Sequence, residues 1–206
     1  MNVHSLTLGP LGTNCFVCSK NGRAVVVDPG GDPADVLSLL RAEKLELTHI
    51  LITHLHFDHI YGNKALSKAT GAPILASDKD AFLMDSEVGR GGMMGLPLVE
   101  PFEFEGIAPG EHEFLGLACT VLATPGHTPG SLTFYFPQSG CAFVGDLIFY
   151  RSVGRTDFPG GSSTALMDSV RKKIFTLPEN TVLYSGHGPQ TTAGDEQIHN
   201  PFFTGI

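Results

Sequence analysis

Ile50-Leu51-Ile52-Thr53-His54-Leu55-His56-Phe57-Asp58-His59 is the stretch from which the rest of the chain is read. It opens inside Thr48–Thr53, a continuous apolar run of the kind expected from a strand buried on both faces. Three histidines and an aspartate follow at the strand-to-helix junction, where α/β proteins place ligands. In extended chain His54 and His56 project to the same side. The turn into a helix, expected to run to about Thr70 and close at Gly71, then carries Asp58 and His59 round to a second centre. One segment thereby offers N and O donors to two neighbouring metal sites, a donor set that suits Zn, Fe or Mn. A chance run of surface histidines is the bland alternative. It sits poorly with nine His in 206 residues, three of them here.

Composition bounds the remainder. Hydrophobic residues make up 42% and charged residues 17%, which excludes a disordered chain. Lys plus Arg number 13 against 21 Asp plus Glu, a formal charge of -8, so non-specific binding of nucleic acid or anionic membrane is not expected. No apolar run approaches the ~20 residues that span a bilayer. Met1–Pro10 has neither a basic nor an apolar signal region, and the expected location is the cytoplasm. There thiols stay reduced, so Cys15, Cys18, Cys119 and Cys141 are read as structural. The CxxC spacing of Cys15 and Cys18 falls in a strand-like run, which turns the two side chains to opposite faces.

Organisation follows from turn signals and periodicity. Val3–Leu8, Cys15–Cys18 and Ala24–Val27 read as short strands, the third broken by Asp28-Pro29-Gly30-Gly31. Asp32 and Pro33 read as the cap and first residue of an amphipathic helix to about Lys44. Pro73–Ala76 is a short strand, and Ser77-Asp78-Lys79-Asp80 resembles a capping box. Later strands are expected at Cys119–Ala123, Ser131–Phe136, Ala142–Val144 and Thr181–Tyr184. Ser162 or Ser163 caps a helix to about Thr176. Strands followed by helix in each half fit a single α/β domain over 1–206, a four-layer αββα sandwich of two mixed sheets with helices on the outer faces. The Gly- and Met-rich segment 88–97 is read as an ordinary surface loop or as a lid in which Met93, Met94 and Leu96 touch an acyl group.

Three more residues sit in loops directly after strands. His127 lies in Thr124-Pro125-Gly126-His127-Thr128-Pro129-Gly130, Asp146 follows Val144-Gly145, and His187 lies in Ser185-Gly186-His187-Gly188-Pro189. Flanking Gly and Pro let the backbone bend tightly and present each side chain. Singly each reads as a turn residue; together, at the ends of three strands, they read as one converging site. His4, His49, His112 and His199 have no motif around them and are read as structural or surface residues.

HxHxDH at 54–59, the GHTPG His127, the GD Asp146 and the SGHG His187 together resemble the metallo-β-lactamase fold superfamily. Within it the chain looks most like the hydroxyacylglutathione hydrolases (glyoxalase II), in a short form without their C-terminal helical domain. The resemblance implies one metal on His54, His56 and His127 and a second on Asp58, His59 and His187, with Asp146 bridging. Two Zn²⁺ are implied, Fe or Mn being alternatives at either site. It further implies Asp58 and Asp146 as catalytic residues and a metal-bridging hydroxide that attacks the thioester of an S-2-hydroxyacylglutathione. Asp at 146, where β-lactamases of the main zinc class carry Cys, argues against penicillin-type substrates.

The family places a Lys and then a Tyr after the bridging Asp to contact glutathione. Here those positions hold Arg155 and Asp157, so Arg155 is read either as a substrate-carboxylate contact or as the partner of Asp157. Persulfide dioxygenases share the Gly154-Arg155-Thr156-Asp157 run and bind a single iron at the positions of His54, His127 and Asp146, which makes them the first rival. Hydrolysis of lactones or phosphodiesters on the same fold is a second, and a non-catalytic metal-binding module a third. The expected partner is a small-molecule thioester, with neither nucleic acid nor membrane.

Overall fold

The computed structural model describes residues 1–92 and 95–204, which divide into two compact units. Unit 1 comprises Met1–Ile107 with Phe114–Gly116, and unit 2 comprises Ala108–Glu113 with Leu117–Ile206.

Unit 1 is built on a six-stranded mixed sheet. Its strands are β1 (Asn2–Leu8), β2 (Thr13–Lys20), β3 (Arg23–Val27), β4 (Glu46–Leu51), β5 (Ile74–Ala76) and β6 (Glu105–Gly106), side by side in that order. The first three are antiparallel; β3 to β6 run parallel. Parallel strands are covered on both faces, which is why Ala24–Val27 and Ile50–Ile52 are unbroken apolar runs, all buried. Helix α1 (Ala34–Ala42) adds Val36 and Leu40 to the same core. Each such side chain taken out of water contributes roughly 1.5–3 kcal/mol. The helix starts one residue later than the sequence reading places it: Pro33 stands at the cap rather than at the first helical position, and Asp32, one residue further out, accepts from the Ala34 amide at 2.9 Å.

The helix expected after His59 is two helices, α2 (Phe57–Ile60) and α3 (Asn63–Thr70). The Gly62 amide donates to the Pro29 carbonyl at 2.8 Å, which interrupts the helical ladder at that point. Gly71 closes α3 with φ 75, as the sequence indicates. Ser77 caps a 3₁₀ helix, Asp78–Asp85, accepting from the Lys79 amide. Asp80 does not complete the expected capping box: it is buried and accepts from the Leu55 amide at 3.4 Å. A short α4 (Glu87–Arg90) follows, and Leu96 packs on the unit 1 core. Met93 and Met94, on which the lid reading rests, lie outside the described residues.

Unit 2 also carries a six-stranded mixed sheet. It is formed by β7 (Gly110–Phe114), β8 (Leu117–Ala123), β9 (Leu132–Phe136) and β10 (Cys141–Gly145), with a two-stranded hairpin, β11 (Ile148–Phe149) and β12 (Ser152–Val153), set apart from the sheet, and then β13 (Val182–Ser185) and β14 (Thr191–Thr192). The sheet order is β14-β13-β10-β9-β8-β7, with β10 and β13 parallel. Helix α5 (Ser163–Ser169) is capped by Ser162, whose hydroxyl accepts from the Ala165 amide, and continues as a π-helical turn, Val170–Ile174. Leu166, Val170 and Ile174 are buried with Val144 and Leu183. Apolar spacing in the sequence is blind to this change of hydrogen-bond pattern.

The tail forms α6 (Ala193–His199) and α7 (Pro201–Thr204). The fold class is therefore α/β with two mixed sheets and helices, and no helix among the described residues is long and apolar enough to cross a membrane.

Close backbone approaches tie the loops to the strands. A Cβ on Gly30 would fall on the Asp58 carbonyl oxygen, so the turn after β3 can seat α2 only if residue 30 lacks a side chain. Gly30→Ala is expected to lower stability by at least about 1–3 kcal/mol in a denaturant titration. An unchanged midpoint and slope would show that the contact is not needed.

Candidate metal centre

In unit 1 the site is built where parallel strands end. The register pairs Val27 with Leu51, so Asp28 and the residues after β4 emerge side by side. The Asp28 amide donates to the Leu51 carbonyl at 3.1 Å. Asp28 has φ 51, a left-handed conformation that costs a non-glycine residue about 1–2 kcal/mol. Its buried carboxylate offsets that cost with three hydrogen bonds. Oδ1 accepts from the Thr53 amide at 2.8 Å, while Oδ2 accepts from the Thr53 hydroxyl at 2.6 Å and faces His59 Nδ1 at 2.9 Å. The turn that follows gathers the imidazoles. The His54 ring centroid lies 4.7 Å from that of His56 and 4.1 Å from that of His59. His54, His56, Asp58 and His59 are all buried. The Thr13 hydroxyl donates to Asp58 Oδ2 at 3.1 Å, and His59 Nε2 lies 3.7 Å from the same oxygen.

Unit 2 repeats the device. Gly145 of β10 pairs with Ser185 of parallel β13, and the Gly186 amide donates to the Gly145 carbonyl at 2.9 Å. Asp146 and His187 leave these adjacent ends, with His187 Nε2 3.7 Å from Asp146 Oδ2. His127, in the loop after β8, brings its Nε2 to 3.7 Å from that oxygen as well. His127 Nδ1 lies 2.7 Å from the Arg155 carbonyl oxygen.

The second contact of each imidazole determines what the first can do. A carbonyl oxygen or carboxylate only accepts, so His127 and His59 each carry a proton on Nδ1, and in the neutral ring Nε2 is then the lone pair. That is the arrangement in which a histidine binds a metal with its other nitrogen oriented from behind. A separation of 3.7 Å is too long for a hydrogen bond. It is close to the roughly 3.4 Å between neighbouring donors of a tetrahedral ion with ~2.1 Å bonds. Neutral imidazoles and carboxylates, without thiolate, suit divalent zinc, iron or manganese. Among the described residues, His54, His56, Asp58 and His59 in unit 1 and His127, Asp146 and His187 in unit 2 make up all the groups of His, Cys, Asp or Glu able to hold a metal ion.

The remaining sequence candidates have local partners. Arg155 pairs with Asp157 through two hydrogen bonds of 2.7 Å each, so the guanidinium is engaged as the ion-pair reading expects. The Arg155 fork holds the Asp157 carboxyl low, at about 2. Arg155 also lies 4.0 Å over the Phe158 ring, which stands edge-on to His127 at 6.5 Å. His4 pairs with Glu43, His49 packs on Phe114, His112 reaches the Ala108 carbonyl and His199 pairs with Asp195. All four cysteines are buried thiols, and burial pushes Cys119 up to about 12 and Cys141 up to about 11.

Sequence reading gave Asp28 no role beyond ending a strand, because its contacts to Thr53 and His59 span 25 and 31 residues. The left-handed Asp before Pro-Gly-Gly is the only local sign of it. Asp28→Asn puts an amide where two donors or an N–H already point. Metal retention is expected to fall by about 10–100-fold in chelator competition, with about 1–3 kcal/mol of lost stability in the metal-free protein. Wild-type metal retention would show that Asp28 does not orient His59.

Comparison with known proteins agrees with this geometry. The Metallo-beta-lactamase superfamily description matches residues 8–187. Hydroxyacylglutathione hydrolase GloC of Haemophilus influenzae is 33% identical over 207 residues, covering 98% of each chain. The BLEG-1 B3 metallo-beta-lactamase structure aligns with a TM-score of 0.92 and 36% identity, over 98% of this chain and 100% of that one. TTHA1623, in a di-iron-bound form, gives 0.88 and 35%, over 97% and 100%. With two mixed sheets and a His and Asp donor set at their strand ends, the chain belongs to the metallo-beta-lactamase superfamily, as a metal-dependent hydrolase.

Proposed function

We propose that the chain hydrolyses a thioester of the S-2-hydroxyacylglutathione kind on a pair of divalent metal ions. The tethering of His59 and His127 through Nδ1 carries this reading, because it turns each Nε2 toward a carboxylate oxygen 3.7 Å away. His54, His56 and His127 would hold one ion and Asp58, His59 and His187 the other, with Asp146 available to both. Zn²⁺ fits these donors, and the di-iron form of TTHA1623 supports iron as an occupant. When bound, the ions supply Lewis acidity and lower the pKa of a water toward about 7.

The chain's own groups do the rest. Thr13 fixes one oxygen of Asp58, which orients the other to take the proton of the attacking water. Burial of His54, His56 and His59 keeps bulk water from the donor nitrogens. No side chain is assigned as general acid, because a thiolate leaves unprotonated. The whole-length likeness to GloC supports glutathione as the thiol. The partner is then a small thioester met in the cytoplasm, with no part for nucleic acid or membrane. Arg155 reaches a substrate carboxylate only in competition with Asp157.

A β-lactam is the second reading, favoured by the likeness to BLEG-1. The carboxylate at 146 in place of Cys counts against the main zinc class of such enzymes.

Purified protein is expected to hold two metals per chain and to cleave S-lactoylglutathione. One iron with oxygen uptake on glutathione persulfide, or faster turnover of a chromogenic cephalosporin, would overturn the assignment. Asp146→Ala is expected to lose metal and at least about 10²–10³-fold in kcat/KM; an active variant would refute the bridge. Asp157→Asn, by releasing Arg155, is expected to lower KM for the glutathione thioester roughly threefold or more with kcat little changed. An unchanged KM would place Arg155 outside the substrate site.

A further inference from the structure

Between Asp146 and Arg155 the chain makes the β11–β12 hairpin, and this short element touches the surroundings of every donor in unit 2. Its first strand begins two residues after Asp146. Gly154 follows its second strand; the missing side chain there lets the backbone lie against the Asp146 carbonyl oxygen, and the Gly154 amide donates to the Leu147 carbonyl at 3.3 Å. The next residue, Arg155, supplies the carbonyl that receives His127 Nδ1. Phe149 presents its ring edge-on to His187 at 6.2 Å, and the Ser185 hydroxyl donates to the Ile148 carbonyl at 2.7 Å.

The tip of the hairpin is held from the C-terminal helices. Glu196 of α6 is fully buried, and its carboxylate accepts from the Arg151 amide at 2.9 Å and from the Arg151 guanidinium at 2.6 Å. The same carboxylate accepts from Thr191 at 2.7 Å and from Asn200 at 2.8 Å. Asn200, also fully buried, donates to the Ser152 carbonyl at 3.0 Å. Arg151 stands at φ 58, a conformation that persists only where neighbours impose it, and the Glu196 contact to its amide does so. Glu196 is desolvated while Arg151 stays partly exposed, so the pair is a poor source of net stability, desolvation of the carboxylate consuming much of the attraction. Its use is geometric: it specifies one shape for the turn.

We propose that Glu196 and Asn200 are positioning residues for Asp146, His127 and His187, acting through the hairpin they clamp. This rests on the reading of those three side chains as metal donors. The clamp fixes where the strand leaving Asp146 turns back, and so where the Arg155 carbonyl meets His127 and where Phe149 meets His187.

Cobalt(II) titration of the full chain, followed by visible absorption, tests this together with amide exchange of residues 147–155 in the metal-free protein. Glu196→Ala and Arg151→Gly are the variants. The second keeps the left-handed turn without strain while removing the guanidinium, so it carries the test if the first does not fold. Both are expected to bind cobalt about tenfold or more weakly, to shift the ligand-field bands and to speed exchange across the hairpin. Phe136→Leu, a buried substitution at the far end of β9, is expected to lower thermal stability and leave cobalt binding unchanged. Wild-type cobalt affinity and spectrum in Arg151→Gly, or an equal loss in Phe136→Leu, would overturn the proposal. His127→Ala separates the two layers: if it binds cobalt like wild type, the donor assignment itself fails, and if it alone loses cobalt, only the clamp does.

Discussion

Parallel pairing of two strands that stop at the same level is the constraint on which each half of this molecule depends. Val27 lies beside Leu51 in one sheet and Gly145 beside Ser185 in the other. At such an end the next backbone groups have no further strand to bond, so the chain must turn, and the side chains that follow stand out beyond the sheet. Both halves place a carboxylate and an imidazole there, in different roles. In unit 1 Asp28 leaves one strand and holds Nδ1 of His59, from the turn after its neighbour; in unit 2 Asp146 leaves one strand and His187 its neighbour, while His127, from the loop after β8, has its Nδ1 held by the Arg155 carbonyl.

The holding groups set which nitrogen of a histidine is left to face a metal ion. Asp28 faces His59, and the Arg155 carbonyl faces His127, and each removes the choice of tautomer. The supporting backbone is correspondingly unusual. Asp28 and Arg151 both adopt left-handed conformations, and Gly30 and Gly154 are pressed against the carbonyls of Asp58 and Asp146. Left-handed φ also occurs at Asn21, Lys44 and Leu115, but at Asp28 and Arg151 it is held by buried carboxyl contacts that lead to the histidines.

Much of this was legible in the residues. A short motif carries HxHxDH because its members are neighbours in sequence, and the buried strand before it is a simple apolar run. His127, Asp146 and His187 were legible because Gly and Pro mark their loops. The helix break at Gly62 was not, since a backbone bond to Pro29 leaves no trace in apolar spacing. Asp28, Glu196 and Asn200 were not, because a polar residue that works through a partner 25 to 51 residues away reads locally as a turn or a surface. Arg155 was half legible: its partner Asp157 was in view, and only the structure shows the fork engaged.

X-ray absorption at the metal edge of the loaded protein tests the central claim most directly, because it reports the donors and the distance between ions without reference to any substrate. Two ions held by these side chains require a first shell of nitrogen and oxygen alone and a metal–metal distance of about 3.5–4 Å. A sulfur shell, or a single ion with no metal neighbour, would contradict it.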